Sequence, residues 1–345
     1  MYNDNEYSIL KTNLEVREVC LYMKKWIAVI ASLLLTITLA TPALAASAWK
    51  ESVTIYGAGL KDSPQQEQIA KLLGTKDDDI VDYVYGNDTE KYINYRYDDS
   101  ILFSSIRIME KNSGGLKIDI DETYGKITQI SPQTYQNALI TAGVTNADVV
   151  IAAPHDVTGE SALTGIYKAY EVQGDSLNPE YTKNAQDELN TISDITSENE
   201  GKDGFSEAQL NKAITEIKIT IINQINNGAN LTEDDIRQIV DEKIKDNGLD
   251  GIVTEEQKTQ IINIIIQIKN SGFFNEESAT KILESSKDLL NQIKDSDAFK
   301  DAKDKAKNLG NDIKDFAESE EGQGLIESIK SFFRSLFEAI KNLFN

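Results

Sequence analysis

The sequence predicts an α+β protein: an N-terminal mixed α/β domain with a small sheet, then an all-helical region that ends in an amphipathic helix. Three observations carry this expectation. The first is the stretch Val149 to Glu171, where the run Val149-Val150-Ile151-Ala152-Ala153 meets Pro154 and a turn bearing Asp156, Thr158 and Gly159. Ala162, Leu163, Ile166 and Tyr170 then follow at helical spacing. A short unbroken apolar run suits a strand buried on both faces, so the N-terminal half is expected to pack around it. The second observation is the change at Asn178, after which strand patterns give way to helical ones. The third is the C-terminal segment Gln323 to Asn345, whose apolar residues recur at steps of three and four. The expected divisions are residues 46–175 (α+β), 176–321 (helical) and 322–345 (amphipathic helix).

Ahead of these lies a secretory signal pattern at 23–45. Lys24 and Lys25 precede the apolar run Trp26 to Leu39, and Ala43-Leu44-Ala45 supplies small residues for cleavage, with a mature start expected at Ala46. The apolar core is too short for a stable transmembrane helix. Residues 1–22 are polar and without periodicity, and read as a start codon assigned too early. Cys20, the single cysteine, falls in that prefix, so the mature chain is expected to be cysteine-free, which removes disulfides, thiol catalysis and cysteine-ligated zinc. The net charge is −22, and four acids balance four bases within Met1 to Ala45, so the mature chain keeps all of it. Such a surface repels phosphate backbones and argues against nucleic acid, while suiting cations or a basic partner.

In the N-terminal half, Ser52 to Tyr56 reads as a strand ended by Gly57 and Gly59. Ser63-Pro64 opens a helix that Gly74 stops, Ile80 to Tyr85 alternates as a strand, and Thr89 to Tyr95 is helical. Ser100 to Glu110 and Leu116 to Thr123 read as two strands joined in a hairpin through Asn112-Ser113-Gly114-Gly115. Ser131-Pro132 starts a helix closed by Gly143. In the C-terminal half Tyr181 to Ile195 is helical, and Ser197 to Gly204 reads as a polar linker. Ser206 with Gln209, Thr232 with Asp235, and Thr254 with Gln257 then start three helices carrying isoleucine stripes. Ser278 to Ile293 and Ala298 to Phe316 continue the helical pattern.

These pieces together resemble a known family. GAGL after the first strand, FSSIRI, the long segment from Thr134 to Glu171, and the tail ESEEG are similar to the secreted bacterial family catalogued as domain of unknown function 1002. The resemblance runs over nearly all of the chain after the signal pattern. It implies export from a Gram-positive bacterium, and it brings no activity or catalytic residue with it.

Candidate chemistry is sparse. His155, Asp156 and Ser161 evoke a hydrolase, but no G-x-S-x-G elbow is present, and neighbours in one turn seldom form a triad. Asp246 to Thr254 admits a calcium loop with Asp246 and Asp250 as ligands. It departs from that pattern at Gly248 and at Gln257, where a bidentate Glu is needed, and a helix end, a Gly turn and a new cap explain the same letters. No cofactor, metal site or catalytic residue is therefore assigned. The acids at Asp77 to Asp79 and at Asp98-Asp99 are a glycosidase pair only if a cleft holds them at a fixed separation.

The C-terminal helix is the surface expected to make contacts. Phe332, Phe333, Leu336, Phe337, Ile340 and Phe344 lie on its apolar face, and Lys330 and Arg334 on the other. At about 34 Å it is long enough to lie along a bilayer, and its charges oppose spanning. Packing on the preceding helices or on a second copy is the competing use of that face. The functional expectation is an exported cell-envelope protein, non-enzymatic, contacting a membrane surface or an envelope partner through this helix. The alternative is an envelope hydrolase using carboxylates of the α+β domain.

Overall fold

The computed structural model describes residues 49–300, apart from 275 and 298. The sheet is built from β1 (Val53–Gly57), β2 (Ile80–Val84), β3 (Ser105–Glu110), β4 (Leu116–Asp121) and β5 (Ala147–Ala152), in the order β2-β1-β3-β5-β4. Strands β1 and β2 pair in parallel, as do β4 and β5, and β3 runs antiparallel to both its neighbours. Four strands therefore point one way. Alternation sets the two faces: Val53, Ile55, Ile106, Ile108, Val149 and Ile151 are buried in the main core, whereas Tyr56 and Ala152 face a smaller cluster on the opposite side. That smaller cluster is closed by Ile69 and Leu73 of α1 (Gln65–Leu73).

The hairpin expected at Asn112–Gly115 does not form, because β5 lies between β3 and β4. The turn instead carries the chain across the end of β5, two strand spacings or about 10 Å. Asn146 fastens this crossing, its carbonyl accepting from the Lys111 amide at 3.0 Å and its side chain from the Gly115 amide at 2.9 Å. A central place gives the apolar β5 ladder partners on both sides, which a hairpin of β3 with β4 would have denied it. The expected strand at Ser100 is also shorter than read, since Asp98 caps a 3-10 turn at Asp99–Ile101 and pairing begins at Ser105.

The main face of the sheet receives α4 (Glu160–Val172), which follows β5 through the turn read from the sequence. Gly165 lets it lie close, because a Cβ there would sit 3.2 Å from Ile106. Helix α2 (Gly86–Ile93) packs against α4. Against β4 lies α3 (Pro132–Thr141), capped by Ser131 through the Thr134 amide. Every residue of α3 from Thr134 to Thr141 is buried. It is enclosed by β4 and by helices of the C-terminal half: α5 (Pro179–Asn199), α6 (Glu207–Asn226) and α9 (Glu276–Asp295).

Helices α7 (Glu233–Asp246) and α8 (Glu255–Asn270) complete the layer, and both begin with the reciprocal capping expected: Thr232 with Asp235, and Thr254 with Gln257. Ser206 also caps, through the Ala208 amide, while Gln209 reaches instead to the Asn247 carbonyl at 3.0 Å. The linker expected at Ser197 to Gly204 is corrected in part. Helix α5 continues to Asn199, which is fully buried and donates to the Ile195 carbonyl and to Gln257. Apolar residues on both sides of residue 175 share one continuous core. Among the described residues, no helix is long and apolar enough to cross a membrane.

Candidate ligand-binding cleft

Because β4 and β5 are parallel, the loops that follow them emerge at the same edge of the sheet. There Ile127 and Val157 form a bridge, the Thr128 amide donates to the Val157 carbonyl at 2.8 Å, and the Lys126 amide donates to Asp156 at 2.9 Å. Gly125 is required at this crossing, since a Cβ would fall 2.1 Å from the His155 backbone. The paired loops make one wall of a cleft of about 420 Å3, and the end of α5 makes the other. Ser193 ties the walls together by donating to the Gln129 carbonyl at 3.2 Å.

Four carboxylates border this cleft: Glu122 just after β4, Asp194 from α5, Glu200 capping the end of α5, and Glu207 from the start of α6. Glu122, Asp194 and Glu200 are exposed and have no hydrogen-bond or ion-pair partner among the described residues. The Thr196 hydroxyl, also at the cleft, is buried without a partner.

Glu207 differs, because it anchors a chain of hydrogen bonds into the interior. Its Oε1 accepts from the Thr134 hydroxyl at 2.7 Å, which accepts from Asn211 Nδ2 at 3.0 Å. Asn137 donates to Asn211 Oδ1 at 2.9 Å and accepts from the Thr215 hydroxyl at 3.1 Å. The string ends at Lys218, whose Nζ donates to the Asn137 carbonyl at 2.8 Å, to the Thr141 hydroxyl at 3.1 Å and to Glu188 Oε1 at 2.6 Å. The Thr141 hydroxyl in turn donates to Glu188 Oε2. Lys218 and Glu188 are 0% and 1% exposed. Burial pushes the Lys218 ammonium below its ordinary value, against the upward pull of Glu188. The cleft wall is thus continuous with a satisfied polar network around α3, which holds it rigid.

The residues singled out from the sequence are placed as follows. His155 is exposed, its Nδ1 lying 3.1 Å from the Asp156 carbonyl and its ring edge-on to Phe103. Ser161 is buried and donates to the Ser104 carbonyl at 2.9 Å, while the Asp156 carboxylate is taken by Lys126. These three side chains do not hydrogen-bond to one another. Asp246 accepts from Lys243 at 3.3 Å, and Asp250 faces Lys258 at 3.4 Å, between the end of α7 and the cap of α8. Among the described residues no group of three or more His, Cys, Asp or Glu side chains is arranged to hold a metal ion. Asp79 is 1% exposed and clasped by Arg107 from β3, with contacts of 2.7 and 3.1 Å. Burial raises the Asp79 carboxyl, but hydrogen bonds from Arg107, the Lys76 amide and Thr54 outweigh it and hold it below its ordinary value. Asp99 accepts from the Gly86 amide at 2.7 Å. The contact residues Lys330, Phe332, Phe333, Arg334, Leu336, Phe337, Ile340 and Phe344 lie outside the described residues, as do the signal pattern and Cys20.

A family model described as protein of unknown function (DUF1002) matches residues 56–286, from within β1 to within α9. The chain belongs to the DUF1002 family. It is also 31% identical over 330 residues to the uncharacterized protein YpuA of Bacillus subtilis (strain 168), covering 93% of this chain and 100% of YpuA. No solved structure matches. The DUF1002 match takes in the end of β1, the other four strands, the enclosed α3 and all four carboxylates of the cleft.

Proposed function

We propose that this DUF1002 protein is an exported cell-envelope protein that binds rather than transforms its target, and that the cleft beside β4 holds a polar, amine-bearing part of the target. The carrying observation is that Glu122, Asp194 and Glu200 project beside one 420 Å3 cleft with their charge uncompensated. The rigid network behind Glu207 supports this reading, since ligand sites are largely preformed concavities with a few placed polar groups. So does the charge of −22, which speeds encounter with a cationic partner. Export rests on the signal pattern at 23–45. The C-terminal segment with Phe332, Phe333, Phe337 and Phe344 serves as a second contact, to a membrane surface, an envelope partner or another copy.

Carboxylates from both walls of one cleft also favour a second reading, a hydrolase of envelope polymers. One experiment separates the two. Calorimetry with a tri-lysine peptide at low ionic strength is expected to show saturable binding that is lost in the variant Glu122→Gln, Asp194→Asn, Glu200→Gln, with an unchanged melting temperature. Soluble fragments released from purified cell walls by the wild type and not by that variant identify the hydrolase instead. Absence of both peptide binding and release refutes the cleft as the site.

A further inference from the structure

The sheet edge that carries the acidic cleft also carries a strip of aromatic and apolar side chains outside it. Strand β3 runs against its neighbours, so its first residues emerge where β1 and β5 end. Tyr95 and Tyr97 stand at one end of the strip, their ring centroids 4.6 Å apart. Tyr97 shares a shallow hollow of about 60 Å3 with Ile101 and Phe103, and Phe103 meets the His155 ring at 4.6 Å. Tyr124 follows, next to Gly125 where the chain crosses the His155 backbone. Two glycines admit this arrangement. A Cβ at Gly59 would sit 2.9 Å from the Phe103 ring, and one at Gly86 would sit 2.1 Å from the Tyr97 carbonyl.

Four large apolar or aromatic side chains are exposed among the described residues, and three of them are here: Tyr95 at 61%, Ile101 at 57% and Tyr124 at 50%. Scattered singly they would need no explanation, but gathered along one edge they mark a contact surface. The strip and the cleft share a wall. Val157 and Thr158 border the hollow, Ile127 and Thr128 border the cleft, and Ile127 pairs with Val157. Paired backbones lie about 5 Å apart, so a single extended ligand can lie on both surfaces.

Resting on the reading of the cleft as an amine site, we infer that the target is an oligosaccharide of unacetylated amino sugars. Its ring faces lie on Tyr95, Ile101 and Tyr124, and its ammonium groups point toward Glu122, Asp194 and Glu200. The shape of the strip selects the sugar. Its hollow is too shallow for a bulky side chain, whereas flat exposed rings suit the C–H face of a pyranose, whose hydroxyls stay in water at the rim. Each such ring also brings a cation, and the three carboxylates of the cleft have no partner among the described residues. A lysine peptide offers the cation without the face, and a neutral glycan offers the face without the cation.

The test is calorimetry of the full chain with glucosamine hexamer, N-acetylglucosamine hexamer and tri-lysine. Low ionic strength and mildly acidic pH keep the sugar amines charged and unscreened. The glucosamine hexamer should bind saturably, and the acetylated hexamer roughly tenfold more weakly. The double variant Tyr95→Ser, Ile101→Ser removes only exposed side chains, so its melting temperature should hold. It should weaken the glucosamine hexamer about tenfold and leave tri-lysine unchanged. Tyr95→Trp, which enlarges the ring, should bind the hexamer at least as tightly as the wild type. The inference is overturned, with the cleft reading intact, if tri-lysine binds and the glucosamine hexamer does not. It is equally overturned if the double variant leaves hexamer affinity unchanged or weakens tri-lysine as much, or if the two hexamers bind alike. Binding of none of the three ligands refutes the cleft reading together with the inference.

Discussion

Two well-buried ion pairs sit on different sides of this protein and do different work. Asp79–Arg107 lies on the outer face of the sheet, where it joins β3 to the segment leading into β2, and the guanidinium keeps 16% of its surface in solvent. Lys218–Glu188 joins α6 to α5 over α3 and is sealed from solvent. The sheet has another source of order, because a one-residue slip of any strand would turn its apolar side outward. The helices pack largely through isoleucine-rich stripes, and apolar contact of this kind is non-directional. Around α3 the polar atoms of Thr134, Asn137, Thr141, Asn211 and Thr215 are satisfied in one arrangement, so the network sets the docking that the stripes leave open.

The largest effect should come from breaking the sealed pair. Lys218→Met strands Glu188 in the core and should cost about 3–5 kcal/mol in urea unfolding. Adding Glu188→Leu should recover most of that loss while broadening the NMR resonances of α3, the mark of a stable but less unique interface. Sharp resonances in the double variant would show that the apolar stripes suffice. Asp79→Asn should cost less, about 1.5–3 kcal/mol, the range of a hydrogen bond to a charged group. Its signature is in the pH dependence. Because the folded Asp79 lies below its ordinary value of 3.8, its stabilisation is complete above that value and is lost as pH falls through the folded value. The wild type should therefore weaken on acidification more steeply than Asp79→Asn, as thermal unfolding in a pH series will report. Thr254→Ala removes one half of the α8 cap and should cost about 1 kcal/mol, measurable as a small shift in the urea midpoint.

What could be read from the sequence was local. The caps at Ser131, Thr232 and Thr254 involve atoms a few residues apart, and the β5 to α4 transition is written in one stretch. The turn at Asn112–Gly115 was equally local, yet a turn says only that the chain changes direction and not which strand it meets next. Lys218 left a signal that was available: Ile214, Ile217, Ile221 and Ile222 surround it at helical spacing, which places a lysine in the middle of an apolar stripe. Its partner could not be read, because Glu188 lies on another helix with no sequence relation to it. The cleft was hidden for the same reason. Glu122 is far along the chain from Asp194 and Glu200, and the polar end of α5 reads as a linker until Asn199 is seen to be buried.

The placement of β5 between β3 and β4 has a consequence in time. A chain made from its N-terminus holds β3 and β4 before it holds the strand that joins them, so two unpaired strand edges stay open until residues 147–152 arrive, and such edges are templates for pairing with other chains. The wait for α3 is longer. Gln136 donates both to the Leu116 carbonyl of β4 and to Gln292 of α9, so the helix at the centre is not closed over until the last described helix is complete. Contacts this distant along the chain make folding slow. A chain cut short before α9 would present the apolar flank of α3 to its surroundings, and the molecule is therefore exposed to misassociation from its first strands to nearly its last helix.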